Sequence, residues 1–124
     1  MKKIIFCALL GLFAFNLQAQ KQAWPELEAF HTVMAQTFHP SEEGNLQPIK
    51  ARSGELAEKA KILKKSAIPS TYQKPGVKET LALLAKESKA LDKIVRKKKA
   101  DAEISKALVA LHDRFHQVME KCNH

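Results

Sequence analysis

Four stretches of this chain place an apolar residue at every third or fourth position, and prolines, glycines and lysine runs separate them. In the first stretch Trp24, Leu27, His31, Met34 and Phe38 fall on one helix face, with Pro25 suited to the first turn and Glu26 and Glu28 to the positive end of the helix dipole. His39-Pro40 is predicted to end that helix, and "PSEEGN" to form the loop after it. Asn45 is predicted to cap a second helix that carries Pro48 in its first turn and buries Ile49, Leu56, Ala60 and Leu63. "SAIPSTYQKPG" reads as the longest connection. A third helix is predicted over Val77 to Arg96, with Val77, Leu81, Leu84, Leu91 and Val95 on one side and lysines on the other. "KKKAD" makes a short turn with Asp101 as the cap, and the fourth helix buries Ile104, Leu108, Leu111, Phe115, Val118 and Cys122. β-Branched residues nowhere alternate with polar ones over a useful length, which leaves an all-α chain. Its natural packing is an up-down-up-down antiparallel four-helix bundle.

The segment ahead of the first stripe has another character. "MKK" is a positive n-region, "IIFCALLGLFAF" a continuous apolar run and "NLQAQ" a polar end with Ala19 at the expected cleavage point. The run is shorter than the ~20 residues a membrane-spanning helix takes, so residues 1–19 are expected to be a signal peptide. Phe6 before Cys7 does not fit a lipoprotein signal, so the expected product is periplasmic or secreted, without a transmembrane span. Residues 20–124 would then be one domain of ~105 residues, room for a single core.

Removing Lys2 and Lys3 takes two charges from a formal net charge of +8, and the chain remains basic, with clusters at "AKILKK" and "RKKKAD". Such runs are usually solvated faces, but they also favour anionic partners, such as an acidic envelope protein. Nucleic acid is not expected, because few aromatic residues are present to stack on bases. Cys122 is the only cysteine beyond the signal segment, which excludes a disulfide framework and leaves a buried thiol, an intermolecular bridge or a ligand.

The closing stretch "LHDRFHQVMEKCNH" concentrates soft side chains. His112 and His116 stand four apart, so their rings share one helix edge, the spacing with which two imidazoles can hold one ion. They lie at the boundary of the buried stripe, ~50° and ~90° from its centre at 100° per residue. In the bundle the first and fourth helices are neighbours, and counting inward sets His31 opposite Phe115–His116 and Met34 opposite His112. On its own stripe His31 is expected to be buried and to need partners. The expected metal ligands are therefore His31, His112 and His116, with Met34, Glu28, His39 and Cys122 as additional donors. His39 with Glu42 and Glu43 reads first as a capping and loop feature, ~12 Å along the helix from His31, and His124 lies at a fraying end. Met34 and Met119 read first as packing residues.

The second helix with its proline-marked exit, "IKARSGELAEKAKILKKSAIP", and the last helix, "ALVALHDRFHQVME", resemble the periplasmic four-helix-bundle cytochromes, in their b-type and c-prime forms. The resemblance implies the bundle fold and, in its b-type form, a non-covalent haem b. "FH" at Phe115–His116 is similar to the aromatic-histidine pair that supplies one axial ligand in those proteins. Their second ligand is a methionine early in the first helix. Met34 comes about a turn later than that position, and His31 stands nearer to it. The C-x-x-C-H attachment motif of the c-prime form is absent.

Three functions follow. The first is a non-enzymatic envelope protein that binds a transition metal, copper, zinc or nickel, through histidines of helices one and four. The second is a b-type haem protein for electron transfer, with His116 and either His31 or Met34 as axial ligands. The third is a structural or interaction bundle with no cofactor. An enzyme is not expected, since no nucleophile elbow or phosphate loop occurs and Glu28-x-x-His31 has no partner copy on the last helix, as a di-iron site would need.

Overall fold

The computed structural model describes residues 22–123, with side chains through Lys121. The expected signal segment, the Cys122 side chain and His124 lie outside the described residues. Among the described residues four helices form a bundle: α1 (Pro25–Glu42), α2 (Gln47–Lys65), α3 (Val77–Arg96) and α4 (Asp101–Asn123), with one 3-10 turn at Ser70–Tyr72 between α2 and α3. Among the described residues there is no strand, and no helix is long and apolar enough to cross a membrane.

The helix ends follow from local chemistry. Pro25 opens α1, where its missing N–H costs nothing, and Glu26 and Glu28 follow in the first turn. Contrary to expectation, Pro40 does not end α1. The helix runs on to Glu42 with Pro40 in its last turn, where the proline removes one hydrogen bond while its own carbonyl accepts the N–H groups of Glu43 and Asn45. Asn45 Oδ1 accepts the Gln47 N–H at 3.1 Å, but Asn45 stands two residues ahead of that first helical residue and Leu46 holds the N-cap position. Asp101 is not a cap either: it is the first residue of α4 and pairs with Lys50 Nζ at 2.7 Å, tying α4 to α2. Gly76, which precedes α3, has φ +85, and a Cβ there would meet Lys121 Nζ at 3.1 Å, so both backbone and space favour glycine.

The core is built from all four stripes. Phe30, Ile49, Leu56, Leu63, Leu84 and Leu108 are fully enclosed, each such side chain contributing about 1.5–3 kcal/mol of transfer free energy. On α1 the buried face differs from the expected one: Phe30, Val33 and Thr37 are inside, and His31 is exposed. Two apolar side chains outcompete an imidazole that burial would have left in need of partners. The long connection is held down by Trp24, whose Nε1–H donates to Ser66 Oγ at 3.0 Å while its ring packs 5.0 Å from that of Tyr72.

Helices adjacent in sequence pack closely on one another, whereas α1 and α4 meet sparsely. The α2–α3 contact contains a hydrogen bond from Ser53 Oγ to Asp92 Oδ1 at 2.8 Å. The α3–α4 contact carries Arg114 on Glu87 through Nε at 2.7 Å and Nη2 at 2.9 Å. The remaining seam, α1 against α4, is open enough to form a groove.

Candidate metal-binding groove

Two rows of side chains face each other across the α1–α4 seam. On α1 the row is His31, Ala35 and His39, each four residues from the next and so stacked along one ridge. On α4 it is His112 and His116, again four apart, with Met119 beyond. Met34, Phe38 and Phe115 lie between the rows, and the groove encloses about 270 Å³. Every histidine whose side chain is described lines it. Ala35 is what leaves the space, because a larger residue between His31 and His39 would fill it.

The two α4 imidazoles already interact. Nε2 of His112 and Nε2 of His116 are 3.2 Å apart with the rings edge to face, so one ring holds its proton on Nε2 and donates to the other. Phe38 fixes the His112 ring, stacking on it at 3.7 Å between centroids and only 3° from parallel. The Phe38 ring also meets His39 edge-on at 6.0 Å. Burial pushes the His112 pKa below its ordinary value, and His116 acts in the same direction. The Asp113 and Glu42 carboxylates oppose that shift, and His39 adds a small lowering. The net shift favours the neutral imidazole, whose free nitrogen can take a metal ion or accept a hydrogen bond.

The heights counted from sequence are met at one level and displaced at the other. His31 lies against Phe115, ring centroids 5.3 Å apart, as expected. It is Phe38, not Met34, that stands at His112. Met34 is 1% exposed at the groove floor, and Met119 is half-buried at its edge. His39 belongs to the groove although it also pairs with Glu42 Oε1 at 3.1 Å. Its signal was present in sequence as the spacing His31, Ala35, His39, hidden by assigning His31 to the buried stripe. Glu28 is exposed and does not line the groove.

Among the described residues, no three His, Cys, Asp or Glu side chains converge into a ready-made metal cluster. The groove offers a pair of imidazoles in contact, two more on the facing row, and two thioethers. Nitrogens ~2.05 Å from a shared ion and 3.2 Å from each other subtend ~100° at it, close to a tetrahedral angle. The His112–His116 separation thus suits one ion once the shared proton leaves. Comparison with known proteins gives no matching family, no matching curated protein and no matching solved structure.

Proposed function

We propose that this chain is an exported up-down-up-down bundle that binds a transition-metal ion in the α1–α4 groove, for binding, sequestration or delivery rather than catalysis. The observation that carries this reading is the gathering of all four described histidines and two methionines along one groove, with the α4 pair at a separation that suits one tetrahedral ion. His112 and His116 are the first two donors. Their i, i+4 spacing sets the pair, and the Phe38 stack orients one ring so that little ordering remains to be done on binding. The third donor comes from across the seam, where His31 is exposed and can change rotamer. Met119, half-buried at the edge, is the nearest thioether to solvent.

Imidazole suits copper, zinc and nickel, while a thioether is a soft ligand that favours cuprous copper over the others. A mixed imidazole and thioether groove therefore points to copper, in its reduced state. A non-covalent haem is less well served: the groove encloses about 270 Å³, under the ~300–1,000 Å³ of ordinary ligand pockets. The His116 nitrogen is also engaged with His112 rather than aimed at an empty slot.

The test is titration of the metal-free mature protein with cuprous copper, in competition with a chromophoric chelator, and separately with zinc. One equivalent of copper should bind, and His112→Ala combined with His116→Ala should weaken it by about a hundredfold or more, as expected when two direct ligands are lost. Met119→Leu should weaken cuprous copper about tenfold and leave zinc nearly unchanged. Tight binding that survives the double substitution would overturn the assignment, and so would a Soret band in protein purified without added metal.

A further inference from the structure

A second groove, of about 550 Å³, lies between α2 and α3 on a surface that the metal reading does not use. Its floor is small: Gly54 and Ala57 from α2, Ala82 and Ala85 from α3. Its walls carry Lys61, Lys64 and Lys65 on one side and Lys86, Lys89 and Arg96 on the other, against two acids, Glu58 and Asp92. Asp92 is already engaged, with Arg96 Nε at 3.0 Å and Ser53 Oγ at 2.8 Å. Glu58 is in no ion pair among the described residues, while nearby Glu55 pairs with Arg52, Glu87 with Arg114 and Asp101 with Lys50. The five groove lysines make no ion pair among the described residues.

Helix electrostatics accounts for part of this. Lys64 and Lys65 stand in the last turn of α2, where a cation stabilises the negative end of the dipole. Lys61, Lys86 and Lys89 gain nothing of that kind, because they sit inside their helices, and their mutual repulsion works against the packed pair. Acids interrupt the walls at Glu58, three residues from Lys61, and at Asp92, four from Arg96, but six cations stand against these two carboxylates. Mid-helix cations gathered over a concave floor of alanine and glycine form a positive trough, which focuses its field on whatever enters it.

We infer that the α2–α3 groove is the docking surface for an acidic segment of another protein. The occupant's chemistry follows from charge and shape. Uncompensated ammoniums on both walls call for carboxylates. The small floor lets a peptide come close, and the span from Gly54 to Lys65 is about 17 Å of helix, enough for some three turns of a helical segment. A lipid surface fits less well, because a membrane-binding face sets large apolar residues among its lysines for insertion, and no lining residue here is a large apolar one. This inference does not rest on the metal reading.

The probe is a fluorescent peptide of about twelve residues made of glutamate and alanine, titrated with the full mature protein at low salt and followed by anisotropy. Saturable binding that weakens steeply with added salt is expected. Lys61→Glu combined with Lys89→Glu should weaken it about tenfold or more, whereas Lys99→Glu combined with Lys106→Glu, the same charge change outside the groove, should alter it less than about twofold. Circular dichroism on both variants checks that each stays folded, and copper titration should be unchanged in both. Equal losses in the two variants would reduce the effect to net charge and overturn the inference. Failure of the peptide to bind, alongside tight binding to phosphatidylglycerol vesicles that the groove variant abolishes, would overturn it in favour of a membrane surface.

Discussion

Solvent-facing grooves lie over both the α1–α4 and the α2–α3 seams, but for opposite reasons. Between α2 and α3 the helices pack closely through small residues, with Ser53 bonded to Asp92 beneath and long charged side chains standing above. Between α1 and α4 the helices meet sparsely, and aromatic and thioether side chains span the gap. The first seam is a closed joint with charge on its rim, and the second is a joint left partly unmade. A metal ion needs donors that converge from two helices with room between them, and only the unmade joint supplies that. A peptide needs a shallow, charged trough, and only the closed joint supplies that.

The contrast breaks most visibly at Phe115. Its ring is buried, 5.2 Å from Phe30 and 5.3 Å from His31, so it is the main apolar bridge across the sparse seam. Phe115→Ala should cost about 3–5 kcal/mol, read as a lowered urea midpoint. It should also weaken copper binding, because the two rows lose the spacer that sets their distance. A loss under about 1 kcal/mol would mean that α1 and α4 are held together by the rest of the ring of helices, and that the groove is a surface feature rather than part of the core.

The bundle was legible in the sequence because burial on α2, α3 and α4 follows an uninterrupted three-four rhythm. Val77 to Arg96 is a helix as predicted, and Ile104, Leu108, Leu111, Phe115 and Val118 are all inside. The α4 half of the candidate site was legible for the same reason, since two residues four apart on one helix need no tertiary information to be neighbours. The α1 half was not. Trp24, Leu27, Met34 and Phe38 are shared by two stripes, one completed by His31 and the other by Phe30, Val33 and Thr37. The choice is made by what α2 and α4 present, which periodicity alone does not contain. Placing His31 in the core hides the ridge His31, Ala35, His39 as a row and leaves His39 only an additional donor beside a loop. The stacking of Phe38 on His112 depends on the relative height of two helices to within a turn, finer than counting from chain ends provides.

A smaller effect sharpens the comparison from the other side. Gly54 is in the interior of α2 with an ordinary helical backbone, and a Cβ there would lie 3.5 Å from Arg96 Nη2 and 3.7 Å from Asp92 Oδ1, both normal contacts. Gly54→Ala should therefore stabilise the protein by about 0.5–1 kcal/mol, the helix-propensity difference, with no steric offset. A destabilised variant would show that the α2–α3 joint is already tight at its floor. The acidic peptide would then have less room than its proposed docking requires.

The smallest effect separates the seams by pH, because the described histidines all belong to one of them. Burial and the neighbouring His116 hold the folded-state pKa of His112 below its unfolded value of about 6.5. Well above pH 6.5 the ring is neutral in both states, and its titration contributes nothing to stability. As the pH falls through about 6.5 the unfolded chain takes up the proton first, so it binds more protons than the folded protein and stability declines. The decline continues until the folded-state pKa is passed and then levels off. Asp113 on α4 and Glu42 on α1 oppose the shift, and His39 on α1 adds slightly to it, so the slope is modest. Urea midpoints of metal-free protein at about pH 7.5 and about pH 5.5 should fall further apart in the natural sequence than in His112→Gln, which keeps a polar side chain but cannot titrate. Bound copper should steepen the loss, since protons then compete with the ion for the same nitrogens. Parallel midpoints in the two metal-free proteins would mean that His112 is as free to protonate in the groove as in the unfolded chain, removing one support for a neutral, metal-ready pair.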